Sequence, residues 1–449
     1  MKKEKPQKVH FISLGCPKNL IDSEVMAGLL NKSGRQLTEK SDNADIVIVN
    51  TCGFIDAAKE ESLEEILTLA QKKKQGGHDF KIVVAGCLAQ RYGRELLAEL
   101  PEINLLIGTG EVGNIVRHVK SMDRADFRRS SIISKPRFLM NYHHPRMMPA
   151  KATTAYIKVS DGCSNYCSYC AIPSIRGKAR SRKPKDILRE AENLAGRGVK
   201  EIIITGQDTT AYGRDLKSRP RLSALLRDIA QIKGIKWIRL LYAHPAHITE
   251  GLLTTIAATR KICPYIDLPI QHIDDNVLKS MNRRATAAQI KAVIAQAKNI
   301  IPDLALRTSL IVGFPGETQN KFKKLLDFIK ETKFDHLGVF TYSREEGTAA
   351  AKLKSQIPEK EKQRRRDLIM NEQAAISHAI NKGLIGSTQE VLIEEKSDRH
   401  DFDFIGRCRR QAPEIDGITY LKDTNANIGS IVKCRINAAD DYDLFAEII

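Results

Sequence analysis

The sequence predicts an α/β protein in three parts: an N-terminal parallel-sheet α/β domain, a partial (βα) barrel and a small C-terminal β-barrel. Three observations lead there. First, β-branched apolar runs alternate with helix-period stretches over residues 8–119 and again over 137–384, the pattern of βαβ units. Second, from residue 386 the pattern changes to short strand-like pieces separated by turn residues. Third, 449 residues with 42% hydrophobic and 28% charged side chains suffice for two or three cores and are too apolar for extended disorder. The expected divisions are 1–125, 140–380 and 385–449.

The longest apolar runs, such as 46–49 and 202–204, fall far short of the ~20 residues a spanning helix needs. Residues 1–8 are basic but lead straight into a strand, with no signal-peptide apolar core. A reducing cytoplasm is therefore expected. There, nine scattered cysteines point to metal ligation or thiolate chemistry rather than disulfides.

In the first part, strands are expected at 8–14, 44–50, 81–85 and 103–107, with helices at 20–30, 57–74 and 88–100. Cys16, Cys52 and Cys87 each follow one of the first three strands. The ends of parallel strands share one edge, where ligands bind. Three cysteines 36 and 35 residues apart can therefore converge as a ligand set; the alternative is three small buried thiols.

In the second part, strands are expected at 155–159, 201–205, 237–242, 265–268, 305–312 and 336–342. Helices at 184–195, 222–232 and 319–332 fall between them, and chemistry belongs at the strand C-termini. A charged helix over 359–381 follows, whose Arg364, Arg365 and Arg366 read as a solvated face. The third part has strand pieces at 389–394, 418–421, 431–436 and 444–448, a barrel of the size that binds RNA or protein. Cys263, Cys408, Cys434 and Trp237 read as packing residues. His272 reads equally as structural or as a substrate contact.

After the first barrel strand comes Cys163-Ser164-Asn165-Tyr166-Cys167-Ser168-Tyr169-Cys170. A structural zinc site wants four ligands, and neither His143 nor His144 stands at suitable spacing. Three thiolates on one loop suit a cubane [4Fe-4S] cluster with one iron open. That iron can hold S-adenosyl-L-methionine through its amine and carboxylate for one-electron cleavage, chemistry no side chain provides.

Cys163, Cys167 and Cys170, with Tyr169 before the last cysteine, resemble the radical SAM signature. By that resemblance Tyr169 lies beside the adenine, and Gly206-Gln207-Asp208 is the stretch that receives the methionine amino end. Gly313 and Gly316, in the bend Gly313-Phe314-Pro315-Gly316-Glu317, flank the adenosine; a plain turn before a helix is the alternative.

The three-part order resembles the radical SAM methylthiotransferases, with a C-terminal TRAM-like module. Ser13-Leu14-Gly15-Cys16-Pro17-Lys18-Asn19-Leu20-Ile21-Asp22-Ser23-Glu24 is closest to the branch that modifies a ribosomal protein; the transfer-RNA branch more often has Gln and Met after that cysteine. Pro269-Ile270-Gln271-His272, residues 342–348 and residues 412–417 resemble the ribosomal branch too. Departures are Cys408, Gln411 and Ala446.

The resemblance implies methylthiolation of the β-carbon of an aspartate in small-subunit ribosomal protein S-twelve; the alternative is an adenosine of transfer RNA. It implies two [4Fe-4S] clusters, one on Cys163, Cys167 and Cys170 and one on Cys16, Cys52 and Cys87. S-adenosyl-L-methionine, a reductant and a sulfur donor complete the set. An unactivated C–H bond calls for a 5′-deoxyadenosyl radical, and the second cluster would deliver the sulfur.

Charge divides unevenly. Residues 120–189 carry 16 basic and 4 acidic side chains, a balance of +12, whereas 385–449 carry 8 basic and 13 acidic, a balance of −5. An acidic module suits a basic ribosomal protein better than transfer RNA. The basic stretch fits contact with ribosomal RNA, or the lining of adenosine and carboxylate sites. Arg176, Arg180 and Arg182 are candidates for carboxylate contact, with a solvated strip as the alternative.

Overall fold

The computed structural model describes residues 5–76, 79–422 and 426–449. Its first part is one parallel sheet of β1 (Lys8–Ser13), β2 (Gln36–Leu37), β3 (Ile46–Thr51), β4 (Lys81–Gly86), β5 (Ile103–Ile107) and β6 (Ser130–Ile132), in the order β2-β1-β3-β4-β5-β6. Between them run α1 (Pro17–Lys32), α2 (Asp56–Gln75), α3 (Cys87–Glu99) and α4 (Ile115–Ser121). The central strands are unbroken apolar runs because both faces are covered. Val47, Val49, Ile82 and Val84 pack on Ile66 and Leu69 of α2 and Leu88 and Leu96 of α3. On the other face, Ile46, Ile48, Val83 and Ala85 pack on Ile21 and Val25 of α1 and Ile115 and Val119 of α4.

The second part carries six parallel strands in two sets of three. β7 (Thr154–Lys158), β10 (Glu201–Thr205) and β11 (Trp237–Leu240) form one; β12 (Tyr265–Asp267), β13 (Ala305–Val312) and β14 (His336–Thr341) form the other. A single bridge, Ile238 to Ile262, joins the sets into a partial barrel. A short antiparallel pair, β8 (Ser160–Asp161) and β9 (Arg180–Ser181), sits at the end of β7. The helices are α5 (Ile172–Arg176), α6 (Pro184–Gly196), α7 (Leu222–Ala230), α8 (Glu250–Ala258), α9 (Asp275–Ser280), α10 (Ala287–Ile300), α11 (Gln319–Thr332) and α12 (Glu359–Lys382). Among the described residues no helix is long and apolar enough to cross a membrane.

The third part is a closed barrel, β15-β16-β17-β19-β18, of β15 (Thr388–Lys396), β16 (Phe404–Cys408), β17 (Thr419–Lys422), β18 (Ile431–Ala439) and β19 (Leu444–Ile448). Strand β16 was not expected, because Gly406 and Arg407 interrupt its apolar pattern. Gly406 is needed there: an added Cβ would stand 2.3 Å from the Leu392 carbonyl oxygen. Arg407, 1% exposed, reaches across to Glu201 of β10 at 2.6 Å.

That contact is part of a plug. Glu201 also accepts from Arg239 at 2.8 Å, Tyr265 donates to Asp416 at 2.7 Å, and Arg307 pairs with Asp416 at 3.3 Å. The C-terminal module thus closes the end of the barrel where the strands begin, leaving the other end to the N-terminal part.

One expectation fails here. Arg365 is not on a solvated face; it is 4% exposed and pairs with Glu317 at 2.8 Å. Lys362, Arg365, Ile369, Gln373 and Ile376 are all buried at spacings of three and four, so Arg365 lies on the inward stripe of α12. Arg364 and Arg366 do face solvent.

Candidate active site

Cys16, Cys52 and Cys87 stand at corresponding ends of β1, β3 and β4. Cys16 is the N-cap of α1 and Cys87 opens α3. Close backbone approach brings them together. A Cβ on Gly15 would meet Cys52 Cβ at 2.7 Å, and one on Gly53 would meet Leu88 Cα at 2.8 Å. Asn19 fixes the arrangement, donating to the Leu14 and Thr51 carbonyls at 3.1 and 2.9 Å while its oxygen lies 3.6 Å from Cys87 Sγ.

Burial opposes ionisation of Cys16, but the charges of Lys18 and Arg176 and the amides of Asn19 and Lys18 outweigh it and hold the thiol below its ordinary value. Cys52 is pushed up to about 12, by burial first and then by its neighbours Cys87 and Cys16. Cys87 is raised by burial, against the pull of Arg176. Three neighbouring thiols with two cations, Lys18 and Arg176, beside them suit a metal centre that draws off their protons.

The second set lies on the loop after β8. Gly162 has φ +78°, and an added Cβ would stand 2.3 Å from the Lys178 carbonyl oxygen. Asn165, between the first two cysteines, donates to Asp208 at 2.8 Å, tying the loop to the end of β10. His247 pairs with the same carboxylate at 2.8 Å. Despite burial, these contacts hold Asp208 well below the usual carboxylate range. Arg283 points its Nη1 at Cys167 Sγ, 3.8 Å away. Cys163 and Cys170 are pushed up by burial to about 11 and about 12.

The two sets meet. Cys87 packs directly against Ala171 and Ile175, which follow Cys170. Arg176, 2% exposed, bridges them. It donates to Asn19 Oδ1 at 2.6 Å, pairs with Asp22 of α1 at 2.9 Å and reaches Asp161 of β8 at 3.3 Å. Lys158 completes the network, at 2.5 Å from Asp22 and 3.1 Å from Asp161.

Of the sequence-expected contacts, Gln207 donates to Asp161 at 3.2 Å. Gly206 stands beside Ser160, whose hydroxyl an added Cβ would meet at 2.8 Å. Tyr169 packs against Phe314, Tyr342 and Met281, so it and the glycine bend share one cluster. Within that bend, Glu317 accepts from the Gly313 amide at 2.8 Å, and Lys362 covers Gly313, while Gly316 has open space. His272 is fully buried; its Nδ1 accepts from the Asp274 amide at 2.9 Å, while its Nε2 has no hydrogen-bond partner and lies 3.8 Å from Glu317. Arg182 pairs with Asp186 and Glu190 behind the site.

Asn19, Asp22, Lys158, Asp161, Asn165 and Arg283 were missed from the sequence. Asn19 and Asp22 carried a signal, three and six residues after Cys16 on one helix face.

Several orphaned polar atoms lie at the same end of the barrel. Thr205 Oγ1, Gln207 Oε1, His244 Nε2 and the Nε and Nη1 of Arg180 are buried without a partner. They lie at the ends of β10 and β11 and on β9, where a polar ligand with amino, carboxylate and hydroxyl groups would satisfy them. Among the described residues no three His, Cys, Asp or Glu side chains converge tightly enough for a single metal ion. Wider sets of three suit a cluster whose thiolates occupy separate iron corners. A concavity of about 570 Å³ lies elsewhere, between the barrel's other end and the C-terminal module, lined by Lys200, Lys236 and Arg409.

Residues 8–108 match the model of a family described as uncharacterized protein family UPF0004, residues 157–329 the radical SAM superfamily and residues 385–449 the TRAM domain. The chain is 54% identical to the ribosomal protein uS12 methylthiotransferase RimO of Syntrophus aciditrophicus, over 98% of both chains. It is 48% identical to that of Geobacter sulfurreducens, over 99% of both. The chain belongs to the RimO family. It is a radical SAM methylthiotransferase, a class that works with S-adenosyl-L-methionine and iron–sulfur chemistry. Among solved structures, the radical S-adenosylmethionine methyltransferase TsrM from Kitasatospora setae matches with a TM-score of 0.55 at 14% identity, over 86% of this chain and 80% of that one. The S-adenosylmethionine radical enzyme OxsB matches at 0.52 and 12%, over 82% and 56%. These two likenesses speak to the fold.

Proposed function

We propose that the protein methylthiolates the β-carbon of an aspartate in ribosomal protein uS12, in the cytoplasm, using two [4Fe-4S] clusters. The observation that carries this is the meeting of the two three-cysteine sets through Cys87, Ala171, Ile175 and Arg176. One set would sit on Cys163, Cys167 and Cys170, the other on Cys16, Cys52 and Cys87. When bound, these groups and S-adenosyl-L-methionine supply the electron, the radical, the sulfur and the methyl group.

The chain's own side chains bind and orient. Gln207, Gly206 and Arg180 would receive the amino and carboxylate ends of S-adenosyl-L-methionine, which would satisfy the orphaned atoms of Gln207 and Arg180. Tyr169 would face the adenine, held from behind by Phe314 and the Gly313–Gly316 bend. Arg176 and Arg283 offset negative charge on the two thiolate sets. A sulfur donor and a reductant are required. The exposed part of the basic stretch over 120–189, which leaves out the buried Lys158, Arg176 and Arg182, would be available for ribosomal RNA.

The test is anaerobic reconstitution, reduction and incubation with uS12, read by intact mass, with iron counted per chain. Cys163→Ala and Cys52→Ala should each remove one cluster's iron and spare the other's. Transfer of a methylthio group to transfer RNA with uS12 unchanged would refute the assignment, as would iron for only one cluster.

A further inference from the structure

Lys18 is the second residue of α1 and is 7% exposed. Its Nζ lies 3.5 Å from the centre of the Tyr242 ring. Tyr242 follows β11 at the open end of the barrel and holds φ +60°, a left-handed conformation rare for a bulky residue outside functional sites. Among the described residues no carboxylate forms an ion pair with Lys18; the groups of opposite sign that act on it are the Tyr242 side chain and Cys16. Two neighbouring buried cations, Lys158 and Arg176, do have carboxylate partners, in Asp22 and Asp161. An ammonium taken out of water is costly, and an aromatic face and one thiol that would also serve a metal centre offset only part of that cost.

The geometry points to Lys18 as the receptor for the carboxylate of the substrate aspartate, and hence as the residue that selects an acidic side chain over a neutral one. This rests on the function proposed above. The carbon to be modified must be reached from the barrel's open end and from the Cys16, Cys52 and Cys87 side. Its carboxyl carbon is bonded directly to it, so the carboxylate enters the junction with it. Lys18 spans that junction, rooted two residues from Cys16 and ending on Tyr242. An incoming carboxylate would supply the carboxylate partner that Lys158 and Arg176 have and Lys18 lacks, and a lysine ammonium offers it three rotatable donors. An asparagine or an uncharged base would leave the ammonium unmatched, which is the basis of the selection.

The test compares uS12 with a form whose target aspartate is replaced by asparagine. Binding of each to unreduced holoenzyme is measured with and without Lys18→Met. The unsubstituted enzyme should prefer the aspartate form by about 10- to 100-fold, the range for a hydrogen-bonded charge pair. Lys18→Met should remove that preference by weakening the aspartate form alone, with iron content equal, and Lys18→Arg should restore part of it. Equal weakening of both forms, or lost iron with the preference intact, would overturn the assignment and leave Lys18 as a support for Cys16. Failure of the unsubstituted enzyme to bind uS12 in either form would instead sink the parent reading.

Discussion

Replacing Arg176 by methionine tests whether the buried network couples the two halves of the site. Asp22, Asp161, Lys158 and Arg176 form a neutral tetrad, all at most 4% exposed. Arg176→Met leaves two carboxylates facing one ammonium, a net buried charge of −1, and removes the cation that faces Cys87 and Cys16. Breaking a buried pair in this way costs about 3–5 kcal/mol. Asp22→Asn leaves the opposite imbalance and should cost a similar amount. The double variant is neutral again, so its loss should be close to that of one single variant rather than their sum of about 6–10 kcal/mol. Trp237 is the only tryptophan and is 1% exposed in β11, so urea unfolding of metal-free protein followed by its fluorescence reads the barrel directly. Additivity to within about 0.5 kcal/mol would show that the four groups do not act as one unit.

Other tests are simpler. Glu201 is fully buried, and Arg407 and then Arg239 overcome the effect of burial to hold it down at about 2, against an ordinary 4.5. Its folded-state value is depressed, so the stability it confers is present above pH 4.5 and is lost as pH falls toward 2. Acid titration should therefore release the C-terminal module in that window, seen by Trp237 fluorescence, and Glu201→Gln should be weaker at neutral pH but flat across the window. Gly53→Ala drives a methyl group toward Leu88 Cα, 2.8 Å away. It should reduce iron held by the N-terminal cysteine set while the barrel set keeps its own, as counted in a Cys163→Ala background and its converse.

Much of this was legible because strand pattern and cysteine position report on the same edge. The ranges 103–107, 201–205, 305–312 and 444–448 fold as strands with the expected bounds, since β-branched runs flanked by helix-period stretches have little choice. The cysteine spacings of one βα unit each translate directly into spatial neighbours. What was not legible depends on docking between distant segments. Arg407 interrupts the pattern of β16 because its partner Glu201 is 206 residues away. Arg365 looked solvated within a run of three arginines, yet a helix turns each successive residue through about 100°, so only its neighbours in the run reach water. Lys18 carries no sequence mark of burial, because the barrel that buries it begins more than a hundred residues later.

The same docking yields a last prediction. Glu345, after β14, is 2% exposed and receives Arg91 of α3 at 2.8 Å and Lys59 of α2 at 3.0 Å. Arg91 also donates to the Gly53 carbonyl at 2.7 Å, next to Cys52. One carboxylate from the barrel therefore fastens both helices that flank the Cys52–Cys87 pair. Lys59 keeps Asp56 at 2.6 Å if Glu345 is lost, whereas Arg91 keeps only carbonyl oxygens. Glu345→Gln should thus loosen the α3 side more than the α2 side. Because the charges sit near the edge of the junction, the cost should be about 1–3 kcal/mol, roughly a 5- to 150-fold rise in local opening. Hydrogen exchange would read this as faster exchange of amides over 52–54 and 87–91, with the sheet interior over 46–49 unchanged. Unchanged exchange at 52–54 would mean that the barrel's far rim does not hold the first cysteine set in place.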